Sequence, residues 1–102
     1  FVAPPVPIEG IYAAVTRQTL DGENPGGWVP EQKISVEGAL MAYTANAAYA
    51  SFEENIKGTL EVGKLADLAV LDQNLLQINP SAIRDTRVLM TMVGGKVIYQ
   101  SE

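Results

Sequence analysis

Gly58-Thr59-Leu60-Glu61-Val62-Gly63-Lys64-Leu65-Ala66-Asp67-Leu68-Ala69-Val70-Leu71-Asp72 separates two halves of different pattern. Its closing run, Ala66 to Leu71, is apolar except for Asp67, which predicts a strand buried on both faces and central to its sheet. Lys64 and Asp67 stand three apart where a loop enters that strand, a spacing that predicts a local ion pair of little energetic weight. Gly58 and Gly63-Lys64 approach the spacing of a phosphate loop, but Leu65 stands where the magnesium-binding hydroxyl belongs, and a strand rather than a helix follows. Nucleotide binding is set aside on those two grounds.

Downstream, Asp72-Gln73-Asn74 is turn material and Asn79-Pro80-Ser81 can start a short helical turn. Arg87 to Val93 and Lys96 to Gln100 flank Gly94-Gly95, and two apolar runs around such a pair predict a hairpin, because glycine supplies the positive φ angles of its tight turn. That makes only three strands, a marginal sheet. A central strand at residues 66–71 asks for a neighbour on each side. The hairpin is one, and the other is not expected within this sequence.

Upstream, the pattern is helical. Phe1-Val2-Ala3-Pro4-Pro5-Val6-Pro7-Ile8 reads as a proline-stiffened, irregular entry, and its opening on Phe1 rather than Met implies sequence upstream. Ile8, Ile11, Tyr12, Val15 and Thr16 recur near helical spacing, predicting a helix over Glu9 to Leu20 with Arg17 near its end. Asp21 to Gly27 is a loop, which Trp28 to Lys33 continues. Trp28 is either a plug over a core, the favoured reading, or part of a binding wall. Ser35 suits an N-cap and Glu37 the first turn of a second helix, with Val36, Leu40, Tyr43 and Ala47 as its buried stripe. Ala39, Ala42, Ala45, Ala47 and Ala48 keep this helix slim. Asn46 marks a break, a second short turn runs to Glu54, and Gly58 ends the helical half. Glu53 and Glu54 are adjacent, so on a helix they point about 100° apart. They read as a solvated helix end rather than as a paired acid and base.

Composition narrows the chemistry. The 102 residues are 47% hydrophobic, which suits one small folded segment. A net charge of −5 disfavours nucleic acid, whose phosphates would be repelled. The chain has no cysteine, removing thiolate catalysis, disulfides and cysteine-based zinc sites, and this is compatible with a cytoplasmic location. It has no histidine, removing the commonest general base and transition-metal ligand. No apolar run nears the roughly 20 residues of a membrane helix, and no signal-peptide pattern is visible.

Read as an ordered set, these stretches resemble the amidohydrolase superfamily, nearest its long exo-acting branch of N-substituted formamide deformylase-like enzymes. Gly10-Ile11-Tyr12-Ala13-Ala14-Val15-Thr16-Arg17 is similar to the helix after the last barrel strand, and Gly26-Gly27-Trp28-Val29-Pro30-Glu31-Gln32 to the loop that follows it. Ser35 to Ala50, with Phe52-Glu53-Glu54, resembles the next helix. The residues from Gly58 to Asp72 and Val93-Gly94-Gly95-Lys96-Val97-Ile98-Tyr99 complete the resemblance. It implies an α+β fragment: residues 1–58 as the C-terminal helices of a TIM-like (β/α)8 barrel, and residues 59–102 as part of a small β-sandwich completed by the parent's N-terminal strands. It also implies hydrolysis of non-peptide, amide-like C–N bonds by a water bound to a divalent metal such as zinc. The superfamily's ligands are histidines, often a lysine or another carboxylate, and an aspartate in a Ser-Asp-x-Pro-Val string. The nearest counterpart, Phe1-Val2-Ala3-Pro4, has no aspartate, so no metal ligand and no catalytic residue is expected in this chain.

Arg17 and Trp28 are the candidate substrate-pocket pair, near the mouth of the barrel, where a cation over an indole or an arginine on a substrate carboxylate is conceivable. The expected partners are the upstream barrel and a small amide-like substrate, with no nucleic acid and no membrane, and a homo-oligomer is also considered. Two rival readings remain. One is a standalone structural module that self-associates through its β-edge. The other is a small-ligand module built on Tyr12, Arg17 and Trp28.

Overall fold

The computed structural model describes residues 5–102. It is an α+β arrangement: α1 (Pro7–Thr16), α2 (Val36–Tyr43), α3 (Ala45–Ala50), β1 (Leu68–Leu71), β2 (Val88–Val93) and β3 (Lys96–Gln100). Single 3-10 segments at Pro30–Gln32 and Pro80–Asp85 complete it. The chain forms two compact units, each built from two stretches. One runs to Leu40 and resumes at Asn74–Thr86; the other comprises Met41–Gln73 and Arg87–Glu102. Residues 41–58 thus group with the sheet.

In the first unit, α1 buries Ile8, Ile11, Tyr12, Val15 and Thr16 and packs against the Pro80–Asp85 segment, where Ile83 is fully buried. The helix begins at Pro7, ahead of the expected Glu9, because proline's fixed φ and missing N–H suit the first helical position. Part of the irregular entry expected over residues 1–8 lies outside the described residues. The helix also stops at Thr16 rather than Leu20. Arg17 turns left-handed (φ 57°, ψ 29°), and its N–H caps the Ala13 carbonyl at 2.8 Å. Tyr12 belongs to the core, contrary to the ligand-module reading. It is 2% exposed, its hydroxyl donates to Gln18 Oε1 at 3.2 Å, and the Arg84 guanidinium lies 5.7 Å from its ring centroid.

The helical stretch that follows departs from expectation in phase. Ser35 Oγ does accept the Gly38 N–H at 2.9 Å, as an N-cap should. The break falls at Thr44 (φ −123°, ψ −92°), not Asn46, and α3 ends at Ala50, short of Glu54. A break resets the helical phase, so a stripe counted through one continuous helix fails. Tyr43 and Ala47 are exposed, while Ala39 and Ala48 are buried. Ala48 is covered by the return of the chain at Gly58, where an added Cβ would stand 2.7 Å from the Ala48 Cβ.

The sheet runs β1-β2-β3, antiparallel throughout. The hairpin over 88–100 forms as predicted, with Gly94 and Gly95 at φ 58° and 81°, signs that match a type I′ turn. Among the described residues β1 has the hairpin as its one neighbour, as expected, but the burial predicted for both its faces is not found. β2 is central, and Ala69 and Val70 of β1 are exposed. β1 also starts at Leu68 rather than Ala66. The two preceding residues serve the hairpin turn: Asp67 Oδ1 accepts the Gly94 N–H at 2.7 Å, and the Ala66 carbonyl accepts the Gly95 N–H at 3.0 Å. All five residues of β3 are exposed.

Candidate functional site

The candidate site lies within the first unit, where the C-terminus of α1 meets the returning loop. The chain reverses so that the Trp28 N–H donates to the Arg17 carbonyl at 2.8 Å and Arg17 Nε donates to the Trp28 carbonyl at 3.0 Å. The Arg17 guanidinium lies 5.2 Å from the centroid of the Trp28 ring, a cation-π contact worth about 0.5–1 kcal/mol at an exposed site. The two residues singled out from sequence are therefore brought into direct contact.

Backbone constraints hold this contact. Arg17 and Val29 both occupy the left-handed region, at φ 57° and 49°, an arrangement that costs non-glycine residues roughly 1–3 kcal/mol each. Between them, Gly27 sits at φ 95°, and a Cβ there would fall 2.5 Å from the Thr16 carbonyl oxygen and 3.1 Å from the Arg17 Cβ. Only glycine lets the loop approach the helix end so closely.

The result is an open hollow of about 440 Å³ lined by Ala13, Arg17, Gln18, Thr19, Asn24 and Trp28. Trp28 keeps 64% of its surface exposed, so the favoured reading of it as a plug over a core is corrected: it borders the hollow instead. Gln18, Thr19 and Asn24 were not singled out from sequence. Their adjacency to Arg17 was visible, but their convergence depends on the chain reversal, for which no single residue is a signal.

The other charged candidates are structural. Lys64 does not pair with Asp67. Its Nζ lies 3.0 Å from Glu61 Oε2 and donates to Thr59 Oγ1 at 2.9 Å, while Asp67 Oδ1 accepts from the hairpin turn. Glu53 pairs with Lys57 at 3.2 Å. Glu54 is less solvated than expected, with Oε2 buried and without a hydrogen-bond donor. Hydrogen bonds from Lys57 to Glu53 and from Thr59 to Glu61, each joined by a lysine charge, hold those carboxyls below the usual range. The Thr19 hydroxyl and the Glu23 N–H do the same for Asp21.

Among the described residues no three of histidine, cysteine, aspartate or glutamate are grouped so as to hold a metal ion. No helix among them is long and apolar enough to cross a membrane.

Comparison with known proteins places these features in context. The amidohydrolase family matches residues 1–99. An N-substituted formamide deformylase from Arthrobacter pascens is 34% identical over 94 residues, covering 92% of this chain and 17% of that enzyme. Protein LONG AFTER FAR-RED 3 from Arabidopsis thaliana is 37% identical over 93 residues, covering 91% of this chain and 15% of its own length. An imidazolonepropionase from Bacteroides thetaiotaomicron is 35% identical over 63 residues, covering 62% of this chain and 15% of the enzyme. The chain thus spans less than a fifth of the length of these relatives. No solved structure gives a significant match.

Proposed function

The chain belongs to the amidohydrolase family, and from that premise we propose that it is the C-terminal part of a metal-dependent enzyme that hydrolyses non-peptide, amide-like C–N bonds. The observation that carries this reading is the family match across residues 1–99. In it, residues 1–58 are the last helices of a (β/α)8 barrel and residues 59–102 contribute to a small β-sandwich shared with the start of the parent chain. The lack of cysteine suits a cytoplasmic enzyme.

The donors present here do not fit a catalytic metal. Histidine is absent, and the described carboxylates do not cluster. The metal, zinc or another divalent ion, and the water it activates are therefore assigned to the rest of the parent, and no step of hydrolysis is routed through these residues. What the chain can offer is a wall of the substrate pocket, with Arg17 and Trp28 as its contact residues.

The test is made on the purified 102 residues. After equilibration with zinc and dialysis, the chain is expected to retain no stoichiometric metal and to release no formate from N-substituted formamides. One bound zinc per chain with turnover would show a complete site here and overturn the assignment. A self-associating module is the second reading, favoured by the wholly exposed β3. A monomer that persists to high concentration in analytical ultracentrifugation would exclude it.

A further inference from the structure

We propose that the hollow between α1 and the Trp28 loop is an anchoring site for an aromatic carboxylate, a proposal that rests on the hydrolase reading only in making that compound the acidic end of the substrate.

The hollow's chemistry is one-sided. Arg17 is its only charged lining residue, Gln18 and Asn24 add carboxamides, and no acidic residue lines it. Neither ion pair among the described residues involves Arg17. Its Nε is used on the Trp28 carbonyl, which fixes the plane of the guanidinium. The two terminal nitrogens form the fork that matches a carboxylate in a bidentate contact. Asp21, four residues on, accepts the Thr19 hydroxyl and the Glu23 N–H at one oxygen and makes no ion pair with Arg17.

The apolar requirement comes from Trp28. Arg17 lies against its ring, yet 64% of the residue remains exposed. An aromatic group can stack on an indole left open in this way. With guanidinium and indole held 5.2 Å apart, a carboxylate and a ring carried by one small molecule can reach both. Loop anchoring alone explains the backbone contacts. It does not require an arginine without an acid beside an open indole.

Trp28 is the only tryptophan, so its fluorescence reports this site alone. Phenylacetate is titrated into the 102-residue chain, with phenylacetamide as its neutral match. Phenylacetate is expected to produce a saturable change that weakens with salt, and phenylacetamide to bind at least about tenfold more weakly. Arg17→Gln, checked for native far-UV circular dichroism, is expected to abolish the difference between the two. Asn24→Leu removes a lining carboxamide while leaving the Tyr12–Gln18 bond of the core untouched, and is expected to weaken phenylacetate selectively. An equal response to acid and amide in the unmodified chain, or none to either, overturns the proposal. That failure is distinguishable from failure of the hydrolase reading, which is read from formate release when these residues replace the matching segment of the Arthrobacter pascens deformylase.

Discussion

Gly27 shows how one residue without a side chain can define a site. A Cβ at φ 95° would meet the Thr16 carbonyl oxygen at 2.5 Å, and that carbonyl is backbone that cannot swing aside. Gly27→Ala is therefore expected to lower stability by roughly 1–3 kcal/mol and to separate Trp28 from Arg17, with a change in Trp28 emission as the readout. Gly26, with open space around its missing Cβ, is the control for φ strain alone. Charge at single residues yields a second prediction. The carboxyl of Glu61 is held below its ordinary value by Thr59 and Lys64. A carboxyl depressed on folding stabilises the folded state above its unfolded pKa, and that contribution is lost as pH falls through the folded value. Thermal unfolding should accordingly show the unmodified chain losing more stability than Glu61→Gln between neutral pH and pH about 3, with the difference confined to the acidic limb. Sequence revealed Arg17 and Trp28 because their residue types stand out. It also allowed the cation over the indole that the structure shows, but not the route to it, which depends on left-handed φ values at Arg17 and Val29 that those residue types do not announce.

The hairpin and its turn were readable, though not the register shift between Thr91 and Met92, because Gly94-Gly95 at positive φ is a local requirement. Asparagine tolerates the left-handed region and Asn-Gly is the favoured type I′ pair. Gly94→Asn should thus stay within about 0.5 kcal/mol of the unmodified stability, whereas Gly94→Val should cost about 1–2 kcal/mol in chemical denaturation. If both cost the same, turn geometry is not what sets this position. The helices were less legible. The break at Thr44 resets the phase between α2 and α3, and threonine gives a weaker signal than the neighbouring Asn46. β1 misled for another reason. An apolar run such as Leu68-Ala69-Val70-Leu71 reads as doubly buried, but its exposure depends on which strands exist beside it. Among the described residues β1 has one neighbour, β2.

Taken whole, the chain carries the family's C-terminal pattern and a large share of uncovered apolar surface. Phe52 is 92% exposed, Leu60 73%, and Val62 fully so. Single exposed apolar residues are ordinary, but three within eleven positions make an apolar patch. Membership of the family was legible because short motifs keep a fixed order and spacing along these residues. Substrate identity was not, because the relatives that match carry different names over the same segment. The decisive measurement is a transplant. These 102 residues replace the matching segment of the Arthrobacter pascens deformylase, and formate release is measured alongside bound metal. The chimera is expected to fold, to hold metal as the unmodified enzyme does, and to keep measurable turnover. A well-folded chimera that binds metal normally yet releases no formate, while the same enzyme carrying the segment of another family member remains active, would contradict the assignment.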